Sequence, residues 1–324
     1  MGDTFRMKRA FVFPGQGSQT IGMGRALAEA FEAARRLFEQ VDDALSQNLS
    51  RLMFEGPEGD LTLTENAQPA LMAASLAVIQ VLEAEGNFDL GRDIAYVAGH
   101  SLGEYSALAA ARSLAVGDAA RLLQIRGRAM QRAVPVGEGA MAALLGLDVD
   151  GAQAVAIEAT RTENGVEEIC AVANDNAPAQ VVVSGHHGAV VRAIAIARER
   201  GARRSISLPV SAPFHCPLMA PAAMVMEEAL NRVTMRSPVI PLVANLSATA
   251  VRDPAAIKRG LVGQVTAMVR WRESVLVLKA AGIEEIVEIG SGRVLTGLVK
   301  RIAPELSARS VGTPAELASL VEHL

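Results

Sequence analysis

The stretch IAYVAGHSLGEYSALAAA, residues 94–111, sets a short apolar run, a turn bracketed by two glycines and an alanine-rich run in immediate succession. Residues 94–98 predict a buried strand, and residues 102–111 predict a helix that starts directly after it. Between them, Gly99-His100-Ser101-Leu102-Gly103 fits G-x-S-x-G, a sharp strand-to-helix turn that lifts a serine hydroxyl into a site. Its glycines permit backbone approaches that a Cβ would block. The turn also puts the Leu102 N–H at a helix N-terminus, where free donors and the helix dipole favour an oxyanion. An ordinary glycine-rich turn is the competing interpretation, and the strand and helix around it argue for the elbow.

Strands and helices alternate on both sides of this turn, which is α/β patterning. Residues 10–13 predict a first buried strand ending in Pro14-Gly15. Helices are predicted over residues 22–45, 65–85 and 118–133. From 139 to 210 the order becomes strand (141–147), helix (151–160), strand (169–173), strand (180–184), helix (189–201), strand (204–208). This βαββαβ order is the ferredoxin-like arrangement, and α/β patterning resumes after it. It therefore predicts an insertion at residues 137–210 within a discontinuous body formed by residues 1–136 and 211–324. Later elements are helices over 217–233, 254–268, 274–281 and 294–302, and strands over 239–244 and 285–289.

Composition narrows the function classes. The chain has 324 residues, half of them hydrophobic, enough for a large core or two units. A net charge of −4 offers no basic field for phosphates, and 8 Phe, 2 Tyr and 1 Trp are too few for a base-stacking surface. Nucleic acid is not an expected partner. Cys170 and Cys216 have no metal-ligand or disulfide spacing, and no metal site is expected. The apolar run near the N-terminus is too short for a signal segment, and residues 70–82 are broken by Ser75 and Gln80 and too short for a span. The expectation is a soluble, cytoplasmic protein.

A serine nucleophile needs a base. Of His100, His186, His187, His215 and His323, only His215 sits in a proline-braced loop, PVSAPFHCP (residues 209–217), that enters a helix. By elimination it is the best candidate, with a structural histidine as the alternative. On the helix over 118–133, advancing about 100° per residue, Arg126 shares a face with Leu122, Ala129, Met130 and Ala133, while Arg121, Arg128 and Arg132 lie opposite. An inward guanidinium needs an anionic partner, either an internal carboxylate or a ligand's. The loop Pro14-Gly15-Gln16-Gly17-Ser18 lacks the third glycine of a dinucleotide fingerprint, and is better used as a source of a second oxyanion N–H. Gly290-Ser291-Gly292 reads as a strand-to-helix turn.

Taken in order, FVFPGQGSQ, TENAQPALMAAS, GHSLGEYSALAAA, IRGRAMQ, NDNAPAQVVVSG, SAPFHCPLM, RWRES and GSGRVLTGLVKRI, from Phe11 to Ile302, resemble the malonyl-CoA:acyl carrier protein transacylase family. The resemblance implies an α/β-hydrolase-like large domain with a ferredoxin-like insertion. It implies acylation of Ser101 by malonyl-CoA, His215 as base, the N–H groups of Gln16 and Leu102 as oxyanion hole, and Arg126 as partner of the malonyl carboxylate. Gln68 matches a glutamine near the family's site. A backbone carbonyl, assigned by counting back from Trp271 to Ala267, would orient the histidine. Leu102 and Phe214, flanking the dyad residues, match a tendency towards malonyl selectivity, although many bacterial members have Ser where Phe214 stands. No bound cofactor is implied, since the phosphopantetheine thiol comes with an acidic acyl carrier protein. Arg198, Arg200, Arg203 and Arg204, or Lys300 and Arg301, are candidate docking patches for it. Alternatives are an acyltransferase of the same fold serving a polyketide pathway or another acyl-CoA, and a serine hydrolase using the same dyad.

Overall fold

The computed structural model describes residues 7–162 and 165–323. Its strands are β1 (Arg9–Phe13), β2 (Tyr96–Gly99), β3 (Gly139–Leu145), β4 (Cys170–Ala177), β5 (Gln180–His186), β6 (Arg204–Ser207), β7 (Leu242–Val243), β8 (Ala250–Val251), β9 (Glu285–Ile289) and β10 (Ser307–Val311). They form two sheets. The larger has the order β10-β9-β1-β2-β7-β8, parallel except for β8. The smaller has the order β4-β5-β3-β6 and is antiparallel throughout.

The central strand β1 is buried on both faces, as a parallel sheet requires. Phe11 and Phe13 pack with helices Thr64–Glu85, Gly103–Ala110 and Val116–Ala133, while Ala10 and Val12 pack with Trp271, Val275, Leu278 and Val299 on the other side. Helix Thr64–Glu85 is long and apolar enough to cross a membrane, but 83% of its apolar window is buried inside the protein, where it serves as the core helix. In the small sheet, Ala142, Leu144, Val181 and Val183 pack under helices Val149–Ala159 and His187–Glu199. Met141, Ala143 and Val182 face the large body instead.

The small sheet is stitched along β4 to the segment that leads into helix Trp271–Ala280 of the large body. Val269, just before helix Trp271–Ala280, accepts from the Asp175 N–H at 3.0 Å and donates to Ala173 O at 2.9 Å. The buried Asp175 carboxylate also meets Arg272 at 2.8 Å. The cleft between the sheets is thus fixed by main-chain bonds on this side.

Several elements differ from the sequence reading. The helix expected over residues 22–45 is broken by Phe31, which is extended and separates Arg25–Ala30 from Glu32–Leu45. The strand expected over 239–244 shrinks to Leu242–Val243, because Pro238 and Pro241 cannot donate to a ladder. The helix expected to reach 268 ends at Gln264. The edge strand β10 and helix Pro314–Val321 lie beyond the last predicted element.

Candidate active site

Strand β2 ends at Gly99 and helix Gly103–Ala110 begins four residues later. A Cβ on Gly99 would lie 1.9 Å from Gly103 C, and one on Gly103 would lie 2.2 Å from Phe13 O. Gly99 is therefore obligatory for closing the turn on its own helix, and Gly103 for packing that helix start against the end of β1. Ser101, at the apex, has φ 54°, a left-handed conformation that costs an ordinary L-residue about 1–2 kcal/mol. The Asn245 side chain holds it there, accepting from the Ser101 N–H at 2.8 Å and donating to Gly99 O at 2.6 Å.

His215 is brought to the elbow by the loop before helix Ala220–Asn231, and it too is left-handed, with φ 58°. Its Nε2 lies 2.8 Å from Ser101 Oγ and its Nδ1 lies 2.8 Å from Gln264 O. A carbonyl can only accept, so Nδ1 carries the proton and Nε2 is free to take one from Ser101. The orienting carbonyl is therefore that of Gln264 and not that of Ala267, whose carbonyl exerts only a weaker pull on the ring. The physical reason is the early end of the helix: Gln264 is its last residue, and such carbonyls have no helical N–H to accept. Burial first, then the Arg126 charge, push the imidazole down to about 3. The neutral, proton-accepting form is the resting one.

Arg126 is 1% exposed while Arg121, Arg128 and Arg132 are exposed, as helical spacing predicted. Its Nη1 donates to Gln68 Oε1 at 2.8 Å, and its Nη2 donates to Gln264 Oε1 at 2.9 Å and to Ser101 Oγ at 3.1 Å. No carboxylate among the described residues pairs with it directly. The nearest acid in this network, buried Glu104, is one residue removed: it accepts from Gln264 Nε2 at 2.5 Å. Burial pushes the Glu104 carboxyl up to about 7, against the pull of Asn245, Gln264 and Arg126.

Ser101, His215, Arg126 and Gln68 line a cavity of about 440 Å³ between the sheets, with Gln16, Leu102, Met130, Met141, Val182 and Phe214 among its walls. The N–H groups of Gln16 and Leu102 donate to no acceptor among the described residues. His100 shares the wall but turns its Nε2 to Asn176 at 2.8 Å. His186 sits at the end of β5 bonded to the Ile169 N–H, and His323 bonds Ser319 O, both away from Ser101. Cys216 is fully buried, with its Sγ against Pro213 O. Lys300, Arg301, Arg198, Arg200, Arg203 and Arg204 are exposed, with Arg200 paired to Glu158. No group of three His, Cys, Asp or Glu side chains suited to a metal occurs among the described residues.

Gln264, Asn245, Glu104 and Thr64 were not singled out from sequence. Glu104 had a usable signal: it is the lone charged residue in a helix whose eight residues are all buried.

Residues 10–316 match the acyl transferase domain family. The malonyl CoA-acyl carrier protein transacylase of Bacillus subtilis strain 168 is 44% identical over 317 residues, covering 98% of this chain and 97% of the relative. The crystal structure of an acyl-carrier-protein-S-malonyltransferase from Bartonella henselae superposes with a TM-score of 0.93 at 52% identity, covering 98% and 99% of the two chains. A malonyl-transacylase solved in complex with a type II PKS acyl-carrier protein superposes with a TM-score of 0.92 at 40% identity, covering 98% and 100%. With its elbow serine, its histidine and its full-length likeness to these proteins, the chain belongs to the acyl transferase family, among the malonyl CoA-acyl carrier protein transacylases.

Proposed function

We propose that this protein is an acyltransferase that moves the malonyl group from malonyl-CoA to the phosphopantetheine thiol of an acyl carrier protein, supplying fatty acid synthesis. The observation that carries the reading is Arg126: a buried cation, with no direct carboxylate partner among the described residues, 3.1 Å from the proposed nucleophile oxygen. A guanidinium in that position is matched by a substrate carboxylate attached to the acyl group being transferred.

In the first half-reaction, His215 Nε2 takes the Ser101 proton as Oγ bonds to the thioester carbon. The oxyanion that forms is held by the N–H groups of Gln16 and Leu102, the thioester C–S bond then breaks, and the proton passes to the leaving CoA sulfur. In the second, the carrier's thiol gives its proton to His215 and attacks the malonyl ester, and Ser101 regains a proton as its bond to carbon breaks. Gln68 helps fix Arg126, while Leu102 and Phe214 crowd the α-carbon of the acyl group. This chemistry calls on no metal or bound redox group. The proposed setting is the cytoplasm, and exposed Lys300 with Arg301, or Arg198 with Arg203 and Arg204, are proposed to meet the acidic carrier.

We read the chain as an α/β-hydrolase-like body, residues 1–136 and 211–324, carrying a ferredoxin-like unit at 137–210. The elbow after a parallel strand supports the first name, and the order β4-β5-β3-β6 with two helices on one face supports the second. Residues 1–6, 163, 164 and 324 of these units lie outside the described residues.

The test is intact-mass measurement after incubation with malonyl-CoA, followed by addition of purified carrier protein. The wild type should gain about 86 Da as a covalent malonyl ester and lose it to the carrier. Ser101→Ala should gain nothing, and an adduct that persists in that variant would move the nucleophile elsewhere. Loss of the ester to water in place of the carrier thiol would make the protein a hydrolase. The complex of a similar transacylase with a polyketide carrier favours a second reading, the same transfer serving a polyketide pathway; competition between carriers of the two kinds separates them.

A further inference from the structure

We propose that Thr64 is a positioning residue, whose hydroxyl ties the Arg126–Gln68 pair to the side chain of Gln16 and so holds the loop that offers the Gln16 N–H to the oxyanion. The proposal rests on the transacylase reading above and adds a residue that the reading does not require.

The direction of each hydrogen bond is set by Arg126, which can only donate. Gln68 must therefore turn Oε1 towards it, at 2.8 Å, leaving Nε2 to donate to Thr64 Oγ1 at 3.0 Å. With that oxygen accepting, the single Thr64 proton goes to Gln16 Oε1, 2.8 Å away. Arg126, Gln68, Thr64 and Gln16 thus form one chain with one sense, running from the proposed carboxylate site to the proposed oxyanion loop. Turning Gln68 round would set its Nε2 donors against those of Arg126, so that link of the chain has one allowed sense.

The local backbone indicates that this is the work of the Thr64 hydroxyl. A threonine at a helix start commonly caps it, but Thr64 lies inside helix Thr64–Glu85, the N-cap is Leu63, and no side chain caps that end. Thr64 is 1% exposed. Gly127 brings the Arg126 helix against it: a Cβ there would lie 2.6 Å from Thr64 O and 2.5 Å from Glu65 Cα. Only a glycine permits the approach that lets Arg126 reach Gln68. On the far side, Thr64 is the hydrogen-bond partner of the Gln16 side chain, and no other is found among the described residues. Next to it, Gly17 has φ 103°, a left-handed turn that places the Gln16 side chain against Thr64.

Thr64→Val removes the hydroxyl and keeps the shape, and Thr64→Ser keeps the hydroxyl. Steady-state transfer to the carrier should show kcat about tenfold lower in Thr64→Val with KM for malonyl-CoA within about twofold, because the lost anchoring acts at the oxyanion. Thr64→Ser should recover kcat to within about threefold of wild type, and Thr64→Val should add little in a Gln68→Ala background, since both cut the same chain. Should Thr64→Val fail to fold, Thr64→Ala carries the same expectations. Unchanged kcat in the Val or Ala variant, an equal loss in Thr64→Ser, or a rise confined to KM would overturn the proposal. A wild type that forms no malonyl ester would instead sink the transacylase reading itself, and this proposal with it.

Discussion

Two buried arginines divide this protein's electrostatics. Arg9, 4% exposed on β1, lies 2.6 Å from Glu285 on β9, and Arg309 on β10 meets the same carboxylate at 2.8 Å. Arg126, 1% exposed, is surrounded by two glutamine side chains and the Ser101 hydroxyl. Dipoles solvate its charge without cancelling it. The first arrangement is closed, with an internal counter-ion; the second is a cation at low dielectric with no paired carboxylate among the described residues, the place that the proposed function gives to the substrate's. The difference teaches that burial alone does not mark a functional charge. What marks it is burial among neutral partners beside a cavity.

The strongest way to break this comparison is to remove both cations. Arg126→Ala should reduce kcat/KM for malonyl-CoA by about 10²- to 10⁴-fold, equivalent to roughly 3–5 kcal/mol for a stranded buried carboxylate, while relative use of acetyl-CoA rises. Arg9→Met should leave the rate per folded molecule unchanged and lower stability in urea by about 3 kcal/mol, the low end for a broken buried pair because Arg309 remains on Glu285. Equal effects of the two variants on activity would end the distinction.

A smaller effect separates two of the buried acids, Glu104 and Glu285. Glu104, pushed up to about 7 by burial, binds its proton more tightly folded than unfolded. Stability should therefore fall as pH rises from the ordinary carboxyl range towards about 7, and Glu104→Gln should flatten that slope in denaturant titrations. Glu285 is also pushed up by burial, but Arg309 and Arg9 outweigh this and hold it below the ordinary value. Its contribution is present above the ordinary range and is lost only as pH falls below it. A pH slope that survives Glu104→Gln unchanged would assign it to another group.

The smallest effect sharpens the link between Arg126 and the base. With His215 pushed down to about 3, kcat/KM should stay flat through the pH range in which an ordinary imidazole titrates. In Arg126→Gln the acid limb of the residual activity should move upward, because the guanidinium is the second cause of the depression after burial. An acid limb near the ordinary imidazole value in the wild type would contradict the buried geometry of His215.

Much of this organisation is legible in the sequence where one local rule dominates. Glu285–Ile289 and Val294–Ile302 have the bounds predicted, since an apolar run and a glycine turn frame them. Gly99 and Gly103 announce the elbow, and helical spacing alone turns Arg126 inward. Phe31 breaks a helix without glycine or proline, so nothing in composition marks it. Gln264 was missed because its role comes from tertiary contact: its main-chain oxygen receives His215 while its side chain bridges Arg126, Glu104, Asn245 and Ser101. The helix predicted to reach residue 268 ends four residues earlier, and that early end frees the Gln264 carbonyl for His215 in place of the carbonyl of Ala267.

Ser101 and His215 share one further property, a left-handed backbone at φ 54° and 58°. Each is a position where glycine would rest more comfortably than the residue the chemistry needs. Glycine at either would relax the backbone and, at His215, leave the buried Gln264 carbonyl without its donor, so backbone comfort and the proposed chemistry pull these two positions in opposite directions.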